Sequence, residues 1–209
     1  MNDSFALFDG STAPETIPMA DAEVRFVRAF YRQPLSGQLM SRLLEEIHRR
    51  QEKIILWGKE RLQPRLSAWY GDAQSHYAYS GVVLTPHPWT DTLLRIKQDI
   101  EHATDHRFNS VLLNLYRNEQ DSVGWHSDAE PELGSMPVIA SLSLGETRTF
   151  KLRHKTRKEI KPVLIELTDG SLLLMEGTTQ RFWQHTVAKE RSTRGPRINL
   201  TFRTILRPG

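Results

Sequence analysis

Residues 137–177 read PVIASLSLGETRTFKLRHKTRKEIKPVLIELTDGSLLLMEG. Four runs stand out: PVIASLSL, RTFKLRH, PVLIEL and SLLLM. They are short, carry many β-branched and aromatic residues, and are broken by Gly, Pro or Asp, the pattern of strands separated by turns. The same character continues outward in SVLLNLY (110–116), WQHTV (183–187) and RINLTFRTI (197–205). Many short strands with no helices between them predict an antiparallel barrel or sandwich, not a parallel α/β sheet. Upstream the period changes. SGQLMSRLLEEIHRRQE (36–52) places Leu39, Leu43, Leu44 and Ile47 at helical spacing, with Ser36 as N-cap. Residues 90–103 repeat the pattern with Thr90 as cap and Leu93, Leu94, Ile96 and Ile100 in the apolar set. Residues 1–22 are polar, carry Pro14 and Pro18, and read as a loose lead-in. The expected order is two helices, then an all-β half from about residue 108.

A chain of 209 residues is one domain by length. With 38% hydrophobic and 25% charged residues it has material for a core. No apolar stretch approaches 20 residues, so no membrane association is expected. The opening MNDSFALFDG lacks the basic-then-apolar order of a secretory signal. Cysteine is absent, which excludes disulfides, thiolate metal sites and thiol catalysis, and suits a cytoplasmic location. Any metal must sit on His, Asp or Glu. The net charge of +3 is unevenly spread. Residues 147–163 carry Arg148, Lys151, Arg153, Lys155, Arg157, Lys158 and Lys161 against Glu159 alone. The tail 189–209 carries Lys189, Arg191, Arg194, Arg197, Arg203 and Arg207 against Glu190. These segments fit either an anionic partner, nucleic acid being the commonest, or a solvated cationic surface.

Of the eight histidines, only His126 is followed two residues later by an acid, Asp128. In an extended segment such residues point to one side, so both side chains can reach one ion. His185 follows 57 residues after Asp128 in the strand-like WQHTV. Two imidazoles and a carboxylate on one side of a metal form the facial triad of non-haem Fe(II) oxygenases; the alternative is three ordinary polar residues. In Arg197-Ile198-Asn199-Leu200-Thr201-Phe202-Arg203 every odd position is polar and every even one apolar. That polar face belongs either to water, on an edge strand, or to a binding cavity. Charge favours the cavity if a metal is present. Fe(II), Asp128 and a dicarboxylate such as 2-oxoglutarate leave net negative charge, which Arg neutralises bidentately.

At this point the residues resemble the AlkB family of Fe(II)/2-oxoglutarate dioxygenases, which repair alkylated nucleic acids. The similar pieces are NSVLLNLYRNEQDSVGWHSDAEPELG, IASLSLGETRTFKLRHK, GSLLLMEGTTQRFWQH and PRINLTFR, in the family's order. The resemblance implies an α+β chain with a double-stranded β-helix (jelly-roll) core over about 108–206. It also implies N-terminal helices packed on that core, a nucleotide-recognition part over about 50–90, and one domain from 23 to 209. It implies Fe(II) on His126, Asp128 and His185, with 2-oxoglutarate and O₂ as co-substrates. Arg197 and Tyr116 then take the distal carboxylate, Asn114, Thr201 and Arg203 make further contacts, and Asn199 supports them.

The implied reaction hydroxylates an N-methyl group on a base such as 1-methyladenine or 3-methylcytosine, releasing formaldehyde. The base must leave its stack to reach the iron. WYGDAQSHYAYSG supplies aromatic faces in Trp69, Tyr70, Tyr77 and Tyr79. Tyr77 and Tyr79 resemble the family's base pocket, with core packing as the alternative. Glu130 resembles the acid that meets the exocyclic amine. In ILWGKERLQPR, Trp57 with Gly58 and Lys59 resembles the wedge loop of the duplex-active branch. DSVGWHSD and MEGTTQ look more like the branch that prefers single strands and also takes RNA. The implied partner is DNA, with RNA as a second substrate class, acting on a monomer; strandedness stays open. A protein- or lipid-directed dioxygenase, or a jelly-roll binding module without turnover, are the competing classes.

Overall fold

Alternation along four strands decides which side of the molecule each residue enters. A computed structural model of the chain describes residues 13–56, 58–75, 77–79 and 82–206, with only the backbone given for 55–56, 77–79 and 82–84. The chain begins with β1 (Glu15–Thr16), β2 (Glu23–Val27), α1 (Leu35–Glu46), β3 (Lys53–Leu56), β4 (Lys59–Leu62) and β5 (Leu66–Gly71). It continues through β6 (Tyr77–Tyr79), β7 (Val82–Leu84), α2 (Asp91–Thr104), β8 (Ser110–Tyr116), β9 (Val123–His126) and β10 (Ile139–Gly145). It closes with β11 (Arg148–His154), β12 (Val163–Leu167), β13 (Leu172–Glu176), α3 (Thr179–Phe182), β14 (Trp183–Val187) and β15 (Arg197–Arg203).

A seven-stranded sheet runs β1-β2-β13-β10-β15-β8-β5, and a four-stranded sheet runs β12-β11-β14-β9. Both are antiparallel. Successive side chains on a strand point to opposite faces. Val111, Leu113, Leu142, Leu144, Ile198, Leu200 and Phe202 therefore pack on Leu39 and Leu43 of α1 and Leu93, Ile96 and Ile100 of α2. The opposite face sends Tyr116, Ile139, Leu173 and Met175 toward Phe150, Leu152, Ile165, Trp183 and Val187 of the smaller sheet. Helices thus cover one face of the larger sheet and the smaller sheet covers the other. This is the expected jelly-roll core with N-terminal helices packed on it. Among the described residues no helix is long and apolar enough to cross a membrane.

The second helix forms as its sequence predicts: Thr90 Oγ1 accepts the Leu93 N–H at 3.2 Å. The first departs from expectation. It ends at Glu46 rather than near residue 52, because Arg50 leaves it to exchange backbone hydrogen bonds with Ser67. Ser36 is not its cap, since its Oγ donates to Asp169 instead, at 2.7 Å. Gly170, at φ +70°, turns the chain into β13 against the Tyr31 carbonyl, which would lie 1.8 Å from an added Cβ. No other residue fits there.

The basic segments are less exposed than their composition suggests. Arg148 is buried, bonded to Glu190 at 3.0 Å and to the carbonyls of Asn118, Asp121 and Ala188. Arg157 pairs with Asp21 and Glu159, and Arg194 with Glu190 and Glu146. We expect Arg148→Met to lower unfolding stability by about 3 kcal/mol, since it strips a donor from a partly buried acid and from three carbonyls. Urea denaturation measures this; a change within about 0.5 kcal/mol would return Arg148 to the solvated surface.

Candidate metal centre and active-site cavity

His126 ends β9, and antiparallel pairing sets it opposite His185 on β14. Their Nε2 atoms face each other at 3.1 Å. The His126 Nδ1–H donates to the Gly124 carbonyl at 2.9 Å, which leaves the Nε2 lone pair free to bind an ion. Phe150 stacks on the His185 ring, centroids 5.0 Å apart. Asp128 lies two residues beyond the end of β9 and is on the same side as His126, as the spacing predicts. Gln180 Oε1 accepts the Asp128 N–H at 2.9 Å, and Arg203 Nη2 donates to Asp128 Oδ1 at 2.7 Å. One ligand atom each from His126, Asp128 and His185 fall within 4.8 Å of one another.

The electrostatics suit a divalent cation. Burial pushes His185 down to about 3, so its imidazole is neutral and offers a lone pair. Burial works to raise the Asp128 carboxyl, but positive charge beside it, that of Arg203 first, outweighs burial and holds the group below the usual carboxylate range. A carboxylate and two imidazole nitrogens suit Fe(II), and three protein ligands leave positions open beside it.

The polar face of β15 enters this site rather than water. Arg197 pairs in register with Tyr116, Asn199 with Asn114, Thr201 with Leu112 and Arg203 with Ser110. Asn199 Nδ2 donates to Ser141 Oγ at 2.8 Å and to the Leu142 carbonyl at 3.0 Å, and Thr201 Oγ1 donates to Asn199 Oδ1 at 3.2 Å. Asn114 Oδ1 accepts from Ser67 Oγ at 2.8 Å and from Arg65 Nε at 3.0 Å. Arg197 Nη2 donates to Ser143 Oγ at 2.9 Å, while Nε and Nη1 are buried without a partner. Burial lowers the Arg197 guanidinium to about 10, still cationic near neutral pH. Its carbon stands 5.1 Å from the centre of the Tyr116 ring.

These residues line a cavity of about 380 Å³ that also holds the triad and Glu130. Glu130 Oε2 is buried without a partner. The orphaned N–H groups of Arg197 suit the co-substrate: a buried guanidinium is costly unless an anion meets it, and a carboxylate matches its fork. Sequence reasoning missed Arg65, Ser67 and Gln180. Arg65 on a loop and Gln180 on a one-turn helix carry no periodic signal, and Ser67 lies on β5, a strand the sequence reading did not identify.

The substrate side is less complete. Trp57 lies outside the described residues, as do the side chains of Tyr77 and Tyr79, whose backbone forms β6 and pairs with β7. Gly58 (φ +72°) and Lys59 are exposed where the β3–β4 hairpin turns, and Ile54 and Gln63 from its two arms reach the cavity wall. Tyr70 belongs to the helix-side core, and Trp69 packs against the inter-sheet core. Neither lines the cavity.

The 2OG-Fe(II) oxygenase superfamily model matches residues 23–203. "Alpha-ketoglutarate-dependent dioxygenase alkB homolog 3" of Bos taurus is 54% identical over 151 residues, covering 68% of this chain and 52% of that protein. "DNA oxidative demethylase ALKBH2" of Mus musculus is 40% identical over 160 residues, covering 74% of this chain and 67% of that protein. The chain spans about half the length of the alkB homolog 3 proteins it matches. A solved structure described as "The structure of OsALKBH1" superposes with a TM-score of 0.60 at 16% identity, over 92% of this chain and 100% of that one, a likeness of fold. With the triad intact and the family match spanning nearly the whole chain, the chain belongs to the 2OG-Fe(II) oxygenase superfamily, in its AlkB branch.

Proposed function

We propose that this chain is a nucleic-acid oxidative demethylase. It removes N-methyl groups from bases such as 1-methyladenine and 3-methylcytosine in DNA, coupled to decarboxylation of 2-oxoglutarate. One observation carries the reading: a three-ligand triad, a buried guanidinium with two unmet donors on Arg197, and a carboxylate oxygen of Glu130 without a partner share one cavity. The relative named as a DNA oxidative demethylase supports the substrate class.

Iron, when bound by His126, Asp128 and His185, supplies the oxidising chemistry with O₂ and 2-oxoglutarate. Everything else falls to the chain's own groups. Arg197 is proposed to grip the distal carboxylate of 2-oxoglutarate with Nε–H and Nη1–H, beside Tyr116. Because both donors to Asn114 occupy its oxygen, its Nδ2–H₂ is left to donate toward the co-substrate, with Thr201 and Arg203 as neighbours. Arg203 also holds Asp128 in its ionised, ligating form. Phe150, Leu112 and Met175 give the cavity an apolar wall that excludes water from the reacting methyl group. Glu130 offers its free oxygen to an exocyclic amine and favours a cationic methylated base over a neutral one. We assign Tyr77 and Tyr79 to the two faces of that base, and Trp57, with Gly58 and Lys59, to the gap a flipped base leaves in a duplex. RNA is the second polymer to test, and the active unit is proposed to be a monomer.

The test is anaerobic loading with Fe(II) and 2-oxoglutarate, followed by O₂, on methylated single-stranded and duplex oligonucleotides compared by mass. We expect loss of the methyl group with formation of formaldehyde and succinate; 2-oxoglutarate consumption that no methylated oligonucleotide stimulates would contradict the reading. Two variants separate the parts. His185→Ala should weaken Mn(II) binding by at least about 100-fold in calorimetry, since it leaves two ligands of three. Arg197→Met should raise the 2-oxoglutarate KM about tenfold or more, as expected for a lost charge-assisted pair, with Mn(II) affinity unchanged.

A further inference from the structure

The outer face of the smaller sheet carries a cluster that the demethylation chemistry does not use. Trp125 precedes His126 on β9, so its ring points away from the triad, at the edge of the cavity. It is 37% exposed, one of few large apolar side chains left in solvent. The Arg153 guanidinium lies over it at 4.2 Å from the ring centre. Arg153 is itself held from beneath, with Nε and Nη2 donating to Gln184 Oε1 at 3.3 and 3.0 Å. Gln184 precedes His185 as Trp125 precedes His126, and Arg153 pairs with Gln184 in register. Lys151, two residues before Arg153, shares this face. The strands that position two metal ligands thus also position an aromatic plane and two cations just outside the cavity.

An exposed indole beneath a braced guanidinium is poorly explained by stability. An exposed cation–π contact contributes little. The combination does match single-stranded nucleic acid, whose bases stack on aromatic planes while cations follow the phosphates. Lys151 and Arg153 give this face the charge that complements a phosphate backbone. We propose that Trp125, with Arg153 braced by Gln184, is a stacking platform for the nucleotide next to the modified one. The strand then crosses the outer face of β9, β14 and β11 as the modified base enters the cavity. The platform rests on nucleic acid being the substrate and names where the strand lies. Because every base has a π-face, it confers affinity without sequence preference and favours a strand with unpaired neighbours.

Binding of fluorescein-labelled, unmodified single-stranded pentathymidylate, followed by anisotropy, tests this without turnover. Trp125→Ala should raise Kd about five- to tenfold, and Trp125→Phe, which keeps a ring, should stay within about threefold of the parent chain. Both variants should stay folded at the assay temperature, with Trp125→Phe melting close to the parent, because more than a third of the residue's surface is in solvent. An Ala variant that binds as the parent does, or a Phe variant as weak as Ala, would overturn the platform. The parallel demethylation assay keeps the two readings apart. Pentathymidylate binding through Trp125 with no demethylation of any methylated oligonucleotide would sink the demethylase reading and leave the platform standing. Demethylation with pentathymidylate binding indifferent to Trp125 would do the reverse.

Discussion

A polar face buried between two sheets is the constraint on which the rest of this structure depends. β15 sits inside the seven-stranded sheet, between β10 and β8, so it has no edge at which Arg197, Asn199, Thr201 and Arg203 could reach water. Its even residues, Ile198, Leu200 and Phe202, are fully buried against the helices. Since side chains alternate with a period of two, burying the apolar set forces the polar set inward between the sheets. Everything around that face then answers to the need to satisfy it.

Most of it is satisfied internally. Ser141 takes Asn199, Asp128 takes Arg203, and Ser67 and Arg65 fill the acceptor on Asn114. The exceptions are Arg203 Nε and, above all, Arg197, where two donors of a wholly buried guanidinium are unmet. A fold selected for stability alone would do better with a hydrophobic residue there. Retaining the charge makes sense if an anion completes it, so the least satisfied point of the interior is also the point most specific for the co-substrate. The same residues link this pocket to the metal centre, because Arg203 and Gln180 hold Asp128 beyond the end of β9.

Much of this was legible in the chain itself. The β-half appears as runs with period two, and the seven strands read from residue 110 onward match β8 and β10–β15 with small shifts at their ends. The cavity face of β15 could be seen in the strict alternation of RINLTFR, although only burial distinguishes a cavity from an edge strand. The triad residues were visible by spacing, yet the contact that holds the aspartate was not: Asp128 lies beyond the end of β9, and a glutamine 52 residues later accepts its backbone N–H. Such contacts leave no local pattern. β2 and β5 were missed although they are no shorter than β12, β13 and β14. The first helix was drawn too long because the charged tail of its pattern, His48–Glu52, is compatible with a helix until Ser67 competes for the backbone of Arg50. Charge counting overstated the basic surface for the same reason, since it cannot tell a buried Arg148 from an exposed Arg153.

The central claim is that one cavity holds a divalent ion on the triad and a dicarboxylate on Arg197. Crystals grown anaerobically with Mn(II) and 2-oxoglutarate test it most directly, with anomalous scattering locating the metal. The account predicts the manganese peak among His126 Nε2, Asp128 and His185 Nε2, and the distal carboxylate within hydrogen-bond distance of Arg197 Nε and Nη1. A metal bound elsewhere, or 2-oxoglutarate bound at the triad with Arg197 still unpartnered, would contradict it.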